Sequence, residues 1–156
     1  NRMTRPARDS AAYYASVRLL DSEGKDRAAF LSASSMTVET LVRVPAGIVD
    51  AQCELDIKTA TGVLVVKTNT GLPTRDSVSL GDGDTLRWHI ERLPLAPGRY
   101  FVNLRMNCPR TGRFMDVFRC AAIFEMLPDI PKGGQPTGAV GGLLQVPVSI
   151  EIRPKK

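Results

Sequence analysis

The chain has 156 residues, of which 43% are hydrophobic and 24% charged, and its formal net charge is +5. This composition is typical of an ordinary globular protein and excludes wholesale disorder, a collagen-like fibre and a cysteine-stapled miniprotein. The length accommodates one domain. The longest apolar run, residues 120–124, is far shorter than the stretch of about 20 residues that a membrane-spanning helix needs, so no membrane insertion is expected.

The first twelve residues are polar and rich in arginine, and the sequence predicts a linker over 1–12. They lack the apolar centre of a signal peptide. Because the chain does not begin with Met, we expect it to be a piece of a longer protein. The basic residues are otherwise spread along the chain, without the clustering and the stacking aromatic residues of a nucleic-acid-binding domain. No nucleic-acid partner is therefore expected.

From residue 13 onward, apolar and polar residues alternate with a period of two in about eight segments. Successive side chains of a strand point to opposite faces, so this alternation predicts strands with one buried and one solvent-facing side. Glycine-, proline- and aspartate-rich turns separate the segments, and none has helical periodicity over three turns. The pattern predicts an all-β antiparallel sandwich over 13–126. The predicted strands begin at 17–19 and continue with 36–44, 53–58, 63–68, 86–91, 100–107, 114–126 and 143–152.

One connection indicates how the strands are arranged. The segment Leu93-Pro94-Leu95-Ala96-Pro97-Gly98-Arg99-Tyr100 is long for a hairpin loop. It resembles the corner of immunoglobulin-like sandwiches at which the chain crosses between sheets and a tyrosine hydroxyl anchors the turn. On this interpretation strands 86–91 and 100–107 lie in opposite sheets, whereas 52–58, 100–107 and 116–125 share one sheet.

The end of the chain breaks the alternation. Residues 127–142 contain three prolines and several glycines, which predicts a long connector. The strand that follows it, within residues 143–156, can pair with its own sandwich or with that of a second copy. Exchange of such an element is a low-cost route to a dimer, and a homodimer with an exchanged last strand is the expectation.

Patterns of catalytic and metal-binding residues are missing from the sequence. The single histidine, His89, falls on the polar side of a predicted strand, and no nucleophile elbow is present. Asp82 and Asp84 alternate with glycines, but the remainder of a calcium-binding loop is absent, so we expect a polar turn. We therefore predict that the chain is not an enzyme and needs no cofactor.

Three cysteines, Cys53, Cys108 and Cys120, have neither the spacing of a zinc site nor that of a redox motif. Unpaired thiols are typical of a reducing compartment. Cys53 and Cys120 fall on the inward phase of their strands and are expected to face the core. Trp88 shares the inward phase with its apolar neighbours, and Tyr100 is expected to anchor the corner.

One predicted sheet face combines the residue types that bind sugars. Sugar hydroxyls need paired donors and acceptors, and arginine also matches a carboxylate or phosphate group. The alternative is an ordinary solvated face, which antiparallel sheets commonly have. The polar side chains and the single aromatic ring of this face are Gln52, Glu54, Asp56, Lys58, Phe101, Asn103, Arg105, Asn107 and Arg119. A second face has no aromatic platform and ranks lower; it comprises Glu39, Arg43, Arg87, His89 and Glu91.

Several segments together resemble a known family. They are Val17-Arg18-Leu19-Leu20-Asp21 with Gly24-Lys25, Thr68-Asn69-Thr70, Leu93-Pro94-Leu95, Pro97-Gly98-Arg99-Tyr100, Asp116, Phe124, and the closing connector with the strand 145–152. The chain resembles, from about Ser16 to Arg153, the C-terminal carbohydrate-binding domain of the ATP-binding subunit of O-antigen polysaccharide exporters, the Wzt-type ABC transporters. Ala33-Ser34-Ser35 departs from the Gly-Glu pair that the family often has before its second strand.

The resemblance implies an immunoglobulin-like sandwich in the cytoplasm, at the inner face of the inner membrane, and residues 1–12 would be the remnant of a linker to the ATPase domain. It implies recognition of the chain-end region of O-antigen polysaccharide, together with the ATPase domain and the membrane subunit of the exporter. No Gly-x-x-x-x-Gly-Lys-Ser/Thr loop is present, so no ATP hydrolysis by that route is expected. The expected carbohydrate-binding residues are Glu54, Asp56, Phe101, Asn103, Arg105, Asn107 and Arg119.

Two alternatives remain open at the level of the sequence. The chain could be a structural dimerisation module without a glycan site, in which the exchanged strand matters and the sheet face does not. It could also be an immunoglobulin-like adhesion module from outside the cytosol, but the odd number of unpaired cysteines disfavours that interpretation.

Overall fold

The computed structural model of the protein describes residues 2–69, 77–128 and 148–156. Within these residues every regular element is a β-strand. The described part of the chain contains no helix long and apolar enough to cross a membrane. The strands are β1 (Met3–Thr4), β2 (Tyr13–Leu20), β3 (Ala29–Leu31), β4 (Met36–Arg43), β5 (Ile48–Thr59), β6 (Leu64–Asn69), β7 (Val78–Gly81), β8 (Thr85–Ile90), β9 (Gly98–Asn107), β10 (Phe114–Leu127) and β11 (Val148–Arg153). The predicted all-β class is confirmed.

The strands form two sheets with a shared hydrophobic core. One sheet has the order β1-β2-β4-β8-β11 and the other β3-β10-β9-β5-β6, with β7 paired to β5. Alternation explains the core: along β8, Leu86, Trp88 and Ile90 are buried, and the residues between them reach the surface. Burial of each such side chain stabilises the fold by about 1.5–3 kcal/mol. The predicted core position of Trp88 is confirmed.

The corner before β9 has the arrangement that the sequence predicts. The Tyr100 hydroxyl donates a hydrogen bond to the Ala96 carbonyl oxygen at 2.7 Å. The ring stacks on Phe124, with 5.5 Å between centroids, and Phe30 meets Phe124 edge-on at 6.0 Å. β8 and β9 lie in different sheets, so the two strands do not form a hairpin and their outer faces point to opposite sides of the sandwich.

Three strands, β1, β3 and β7, are absent from the sequence prediction. They have two, three and four residues, too few for an alternating pattern to be distinguished. β3 pairs in parallel with the end of β10, a partner almost a hundred residues away along the chain. Pairing with a distant strand, and not local sequence, therefore determines these elements.

The segment before β2 is attached to the sandwich. The Arg5 guanidinium donates to both carboxylate oxygens of Asp116, at 2.7 and 3.0 Å, and lies 4.3 Å from the centre of the Phe118 ring. Asp116, whose side chain is fully buried, also accepts the Tyr14 backbone N–H at 2.9 Å. Residues 3–5 consequently have a defined course on the sandwich, and their role as the remnant of a linker stays a prediction.

The last strand, β11, pairs antiparallel with β8 at the edge of the five-stranded sheet. The register joins Val148 to Ile90 and Arg153 to Thr85. Most of the predicted connector, and the first residues of the predicted last strand, lie outside the described residues. Strand exchange and the homodimer therefore stay predictions.

Candidate functional site

The outer face of the six-stranded sheet contains the polar surface that the sequence predicts. Along β9 the side chains of alternate residues are buried, and those of Phe101, Asn103, Arg105 and Asn107 lie between them, partly exposed. The register with β5 pairs these four with residues that the sequence predicts on the same face, which are Lys58, Asp56, Glu54 and Gln52 respectively. The predicted face is thus continuous across β5 and β9.

A network of charged groups occupies the middle of this face. Arg105 Nε lies 3.2 Å from Glu54 Oε2 in an ion pair, and Arg105 Nη2 donates a hydrogen bond to Asp56 Oδ2. Asn107 donates from Nδ2 to Glu54 Oε1 at 3.4 Å. The carboxylates of Glu54 and Asp56 therefore hold the Arg105 guanidinium in one orientation, because its rigid fork fits their oxygens.

Two acceptor atoms of this network remain unsatisfied. Asp56 Oδ1 and Asn107 Oδ1 are buried and have no hydrogen-bond partner among the described residues. The Asp56 residue itself is only 4% exposed. A buried acceptor without a partner costs about 1–3 kcal/mol, so these two atoms reduce the stability that the network contributes.

A β-bulge shapes the third strand of the face. The register between β10 and β9 shifts between Phe118 and Ala122. Cys120 adopts a left-handed backbone conformation, with φ of 49°, and its N–H donates to Asn103 Oδ1 at 2.8 Å. The bulge exposes both Arg119 and Cys120. The prediction that Cys120 faces the core is therefore wrong, because the extra residues of a bulge shift the alternation.

A depression of about 860 Å³ lies over these strands. It brings together five of the predicted residues. Glu54 and Asn107 do not line it: Glu54 forms an ion pair with Arg105, and Asn107 donates a hydrogen bond to Glu54. Its lining residues are Asp56, Lys58, Thr59, Ala60, Gly62, Phe101, Asn103, Arg105, Phe114, Val117, Arg119 and Cys120.

Several lining residues are not among the predicted site residues. Phe114 is 61% exposed, and its position on the solvent-facing phase at the start of a strand is a signal that could have identified it. Cys120 has no such signal, because its exposure depends on the bulge. Thr59 is the last residue of β5, and Ala60 and Gly62 belong to the turn after it, which the strand pairing brings beside Phe101.

The outer face of the five-stranded sheet, the second candidate, has a different character. Glu39 accepts hydrogen bonds from Arg18 at 2.5 Å and from Arg87 at 2.7 Å. Burial raises the pKa of the Glu39 carboxyl, but these two guanidinium groups outweigh it and hold the pKa below its usual value. His89 Nδ1 lies 2.9 Å from Thr37 Oγ1. The central charges of this face are therefore already paired.

The aspartates that alternate with glycines shape a turn. Asp82 Oδ1 accepts the Val44 N–H at 2.9 Å, and Asp84 Oδ2 accepts the Gly81 N–H at 2.7 Å. These contacts agree with the predicted polar turn. Over residues 2–69, 77–128 and 148–156, no group of three or more His, Cys, Asp or Glu side chains is placed to hold a metal ion.

Comparisons with known proteins agree with this architecture. A family model described as the Wzt C-terminal domain matches residues 8–143. The fold is similar to the crystal structure of the C-terminal domain of Wzt, with a TM-score of 0.65 and 16% identity over 93% of this chain and 87% of that one. The Pseudomonas fluorescens alkylpurine DNA glycosylase AlkC, bound to DNA containing an abasic site analogue, reaches a TM-score of only 0.48 at 14% identity, over 75% of this chain and 30% of that one. No curated protein matches the chain.

Proposed function

Because the chain belongs to the Wzt C-terminal domain family, we propose that it is a non-catalytic domain that binds O-antigen polysaccharide for export by an ABC transporter. In this proposal the domain recognises the chain-end region of the glycan. It works in the cytoplasm, at the inner face of the inner membrane, beside the ATPase domain and the membrane subunit of the exporter.

One observation carries the placement of the glycan site. The depression on the six-stranded sheet combines a partly exposed aromatic ring, Phe101, with the side chains of Lys58 and Arg119, which have no hydrogen-bond or ion-pair partner in the described part of the chain. A sugar ring presents an apolar face and a rim of hydroxyl groups, and this combination matches both. The opposite sheet face has central charges that are paired with each other.

The proposed contacts divide the residues by role. Phe101 packs against the apolar face of a sugar ring, and Arg119 donates from the bulge. Asn103 accepts the Cys120 N–H through Oδ1, which leaves its Nδ2 atom to donate to a hydroxyl. Asp56 holds the guanidinium of Arg105, which links the site to Glu54 and Asn107. Glu54 and Asn107 are accordingly positioning residues.

The homodimer is the second part of the proposal. Among the described strands β11 pairs with β8 alone, at the edge of its sheet, and in the sequence it follows the predicted Pro- and Gly-rich connector. Such a strand can occupy the same position on a second copy of the chain at little cost. The competing function, a structural dimerisation module without a glycan site, depends on this same feature and assigns no role to the depression.

A calorimetric titration tests the proposal. The protein is titrated with the O-chain of its own source organism and, separately, with an unrelated O-chain, and its mass in solution is measured by light scattering. We expect binding to its own glycan only. Phe101→Ala is expected to weaken binding at least tenfold, equivalent to about 1.4 kcal/mol. Arg153→Ala, on the opposite face, serves as the control and should bind normally.

Other outcomes have different meanings. A folded dimer that binds neither glycan would support the structural dimerisation function. Binding that survives Phe101→Ala but is lost in Arg153→Ala would place the site on the other sheet.

A further inference from the structure

The charges around the depression are unevenly distributed. Glu54 and Asp56 lie on one side of it, and both carboxylates contact the single Arg105 guanidinium. This trio carries a net charge of −1 and occupies the end of the face that leads to Asn107. Arg105 therefore has little charge to offer a ligand, because its donors already point to two carboxylates.

The other two cations of the depression have no such partners. Lys58 and Arg119 both line it, and neither forms an ion pair or a hydrogen bond through its side chain in the part of the chain that the structure describes. Lys58 is partly buried, and Arg119 is exposed. Elsewhere on the surface, by contrast, arginines such as Arg27, Arg43 and Arg99 lie within ion-pair distance of a carboxylate.

The strand pairing places these two cations on the two strands that flank β9, the strand of the aromatic residue Phe101. Lys58 on β5 lies directly opposite Phe101 on β9. Arg119 lies on β10, the other neighbour of β9, next to the residue whose N–H is held by Asn103. Strands β5 and β10 are two inter-strand spacings apart, about 10 Å. Ile123 is the β10 residue opposite Phe101, and Arg119 reaches the depression from the bulge beside Asn103. Long side chains from β5 and β10 can therefore meet over β9, between Phe101 and Asn103.

The bulge fixes the position of Arg119. Without it, strand alternation would continue uninterrupted across 118–122, but the bulge exposes both Arg119 and the following residue. A left-handed conformation at a residue other than glycine costs about 1–2 kcal/mol. The hydrogen bond from the Cys120 N–H to Asn103 Oδ1 offsets part of that cost and ties the bulge to β9.

From this arrangement, and resting on the proposed function, we infer that the sugar bound in the depression carries an anionic group, a carboxylate or a phosphate, held between Lys58 and Arg119. The ring of that sugar packs on Phe101, and one of its hydroxyl groups points toward Asn103. The negative trio excludes the anionic group from the Asn107 end, so the charge distribution also sets the direction in which the glycan lies. Arginine provides paired donors and lysine a point charge, and both suit either anion.

The test compares chemically altered forms of one glycan. The native O-chain of the source organism is titrated beside two derivatives: one whose carboxylates are reduced to alcohols, and one from which hydrofluoric acid has removed phosphate. We expect one derivative to bind at least tenfold more weakly than the native chain. Loss on carboxyl reduction identifies a carboxylate, and loss on dephosphorylation identifies a phosphate.

Matched variants assign the effect to the two side chains. Lys58→Gln and Arg119→Gln should each weaken binding of the native chain about tenfold, and should lower the dependence of affinity on salt concentration. Arg153→Gln removes a cation from the opposite face and should change neither quantity. In the double variant, native and altered chains should bind with equal affinity.

The possible failures are distinguishable. If the native chain binds but both derivatives bind as well as it does, or if the glycan has no anionic group, the inference is overturned and the proposed function stands. Unchanged affinity in Lys58→Gln and Arg119→Gln overturns it in the same way. If the native chain does not bind to the folded wild-type protein, the proposed function fails, and the inference fails with it.

Discussion

The outer faces of the two sheets use similar residue types but differ in how their charges are satisfied. On the five-stranded sheet, adjacent strands place Arg18, Glu39 and Arg87 in one row, and each charge meets an opposite one. On the six-stranded sheet, Lys58 and Arg119 remain without ion pairs among the described residues, and a carboxylate oxygen remains without a donor.

The pairing of charges within a sheet face is therefore a criterion for distinguishing a ligand-binding face from a solvated one. A face that only needs to be soluble and stable can pair its own charges across strands, since opposite charges on neighbouring strands are favourable. A face that binds a ligand must keep donors and acceptors available. The proposed function requires the second description, to which the unpaired cations Lys58 and Arg119 correspond, and the row centred on Glu39 fits the first.

Replacing the central arginine of each face should change the free energy of unfolding by different amounts. Arg105→Met leaves the buried Asp56 carboxylate without its partner, so the free energy of unfolding should fall by about 3–5 kcal/mol. Arg87→Met leaves Glu39 paired with Arg18 and should cost about 1 kcal/mol. Urea denaturation followed by the fluorescence of Trp88 measures both. Equal losses of unfolding free energy would mean that the two charge networks contribute equally to stability, which contradicts the difference between the two faces.

A smaller effect concerns pH and the row around Glu39. The pKa of Glu39 in the folded protein lies below its ordinary value of 4.5. Its contribution to stability is therefore complete above pH 4.5 and is lost as the pH falls through the folded-state pKa. The free energy of unfolding, measured by urea denaturation between about pH 3 and pH 7, should show this loss, because carboxylates titrate at the acidic end of that range.

Two variants test whether Glu39 causes the loss of stability at acidic pH. Glu39→Gln should be less stable than the wild type at neutral pH and should lose less stability on acidification. Glu23→Gln, an exposed residue, is the control and should keep the wild-type pH profile. If Glu39→Gln keeps that profile too, the acid sensitivity arises from other carboxyl groups.

The smallest expected effect is a difference in thiol reactivity, which requires no substitution. Burial raises the pKa of the Cys53 thiol to about 12, so Cys53 should react with iodoacetamide only after unfolding. Hydrogen bonds from Thr111 lower the pKa of Cys108, which should react fastest. Cys120 lines the depression and Cys108 does not, so bound glycan should slow alkylation of Cys120 alone. Mass spectrometry of the alkylated peptides measures each rate, and equal protection of Cys108 would contradict the proposed location.

Much of the candidate site could be predicted because it lies on regular strands. The alternation along β5 and β9 assigns Asp56, Phe101, Asn103 and Arg105 to the solvent-facing side, and the register confirms that they share one face. Regular alternation fails at the bulge in β10, where Cys120 turns outward. A bulge depends on how two strands match in length and twist, which neither strand reveals alone.

By itself, the sequence determined the all-β class, the core position of residues such as Trp88, and the corner at Tyr100, because period-two alternation and turn chemistry are local properties. The tertiary structure alone decided that β3 joins the end of β10, that Arg5 meets Asp116, and that the bulge brings Cys120 into the depression. Each of these depends on register and packing between segments far apart in the chain. Their mutual position is established only when the two sheets close over the shared core.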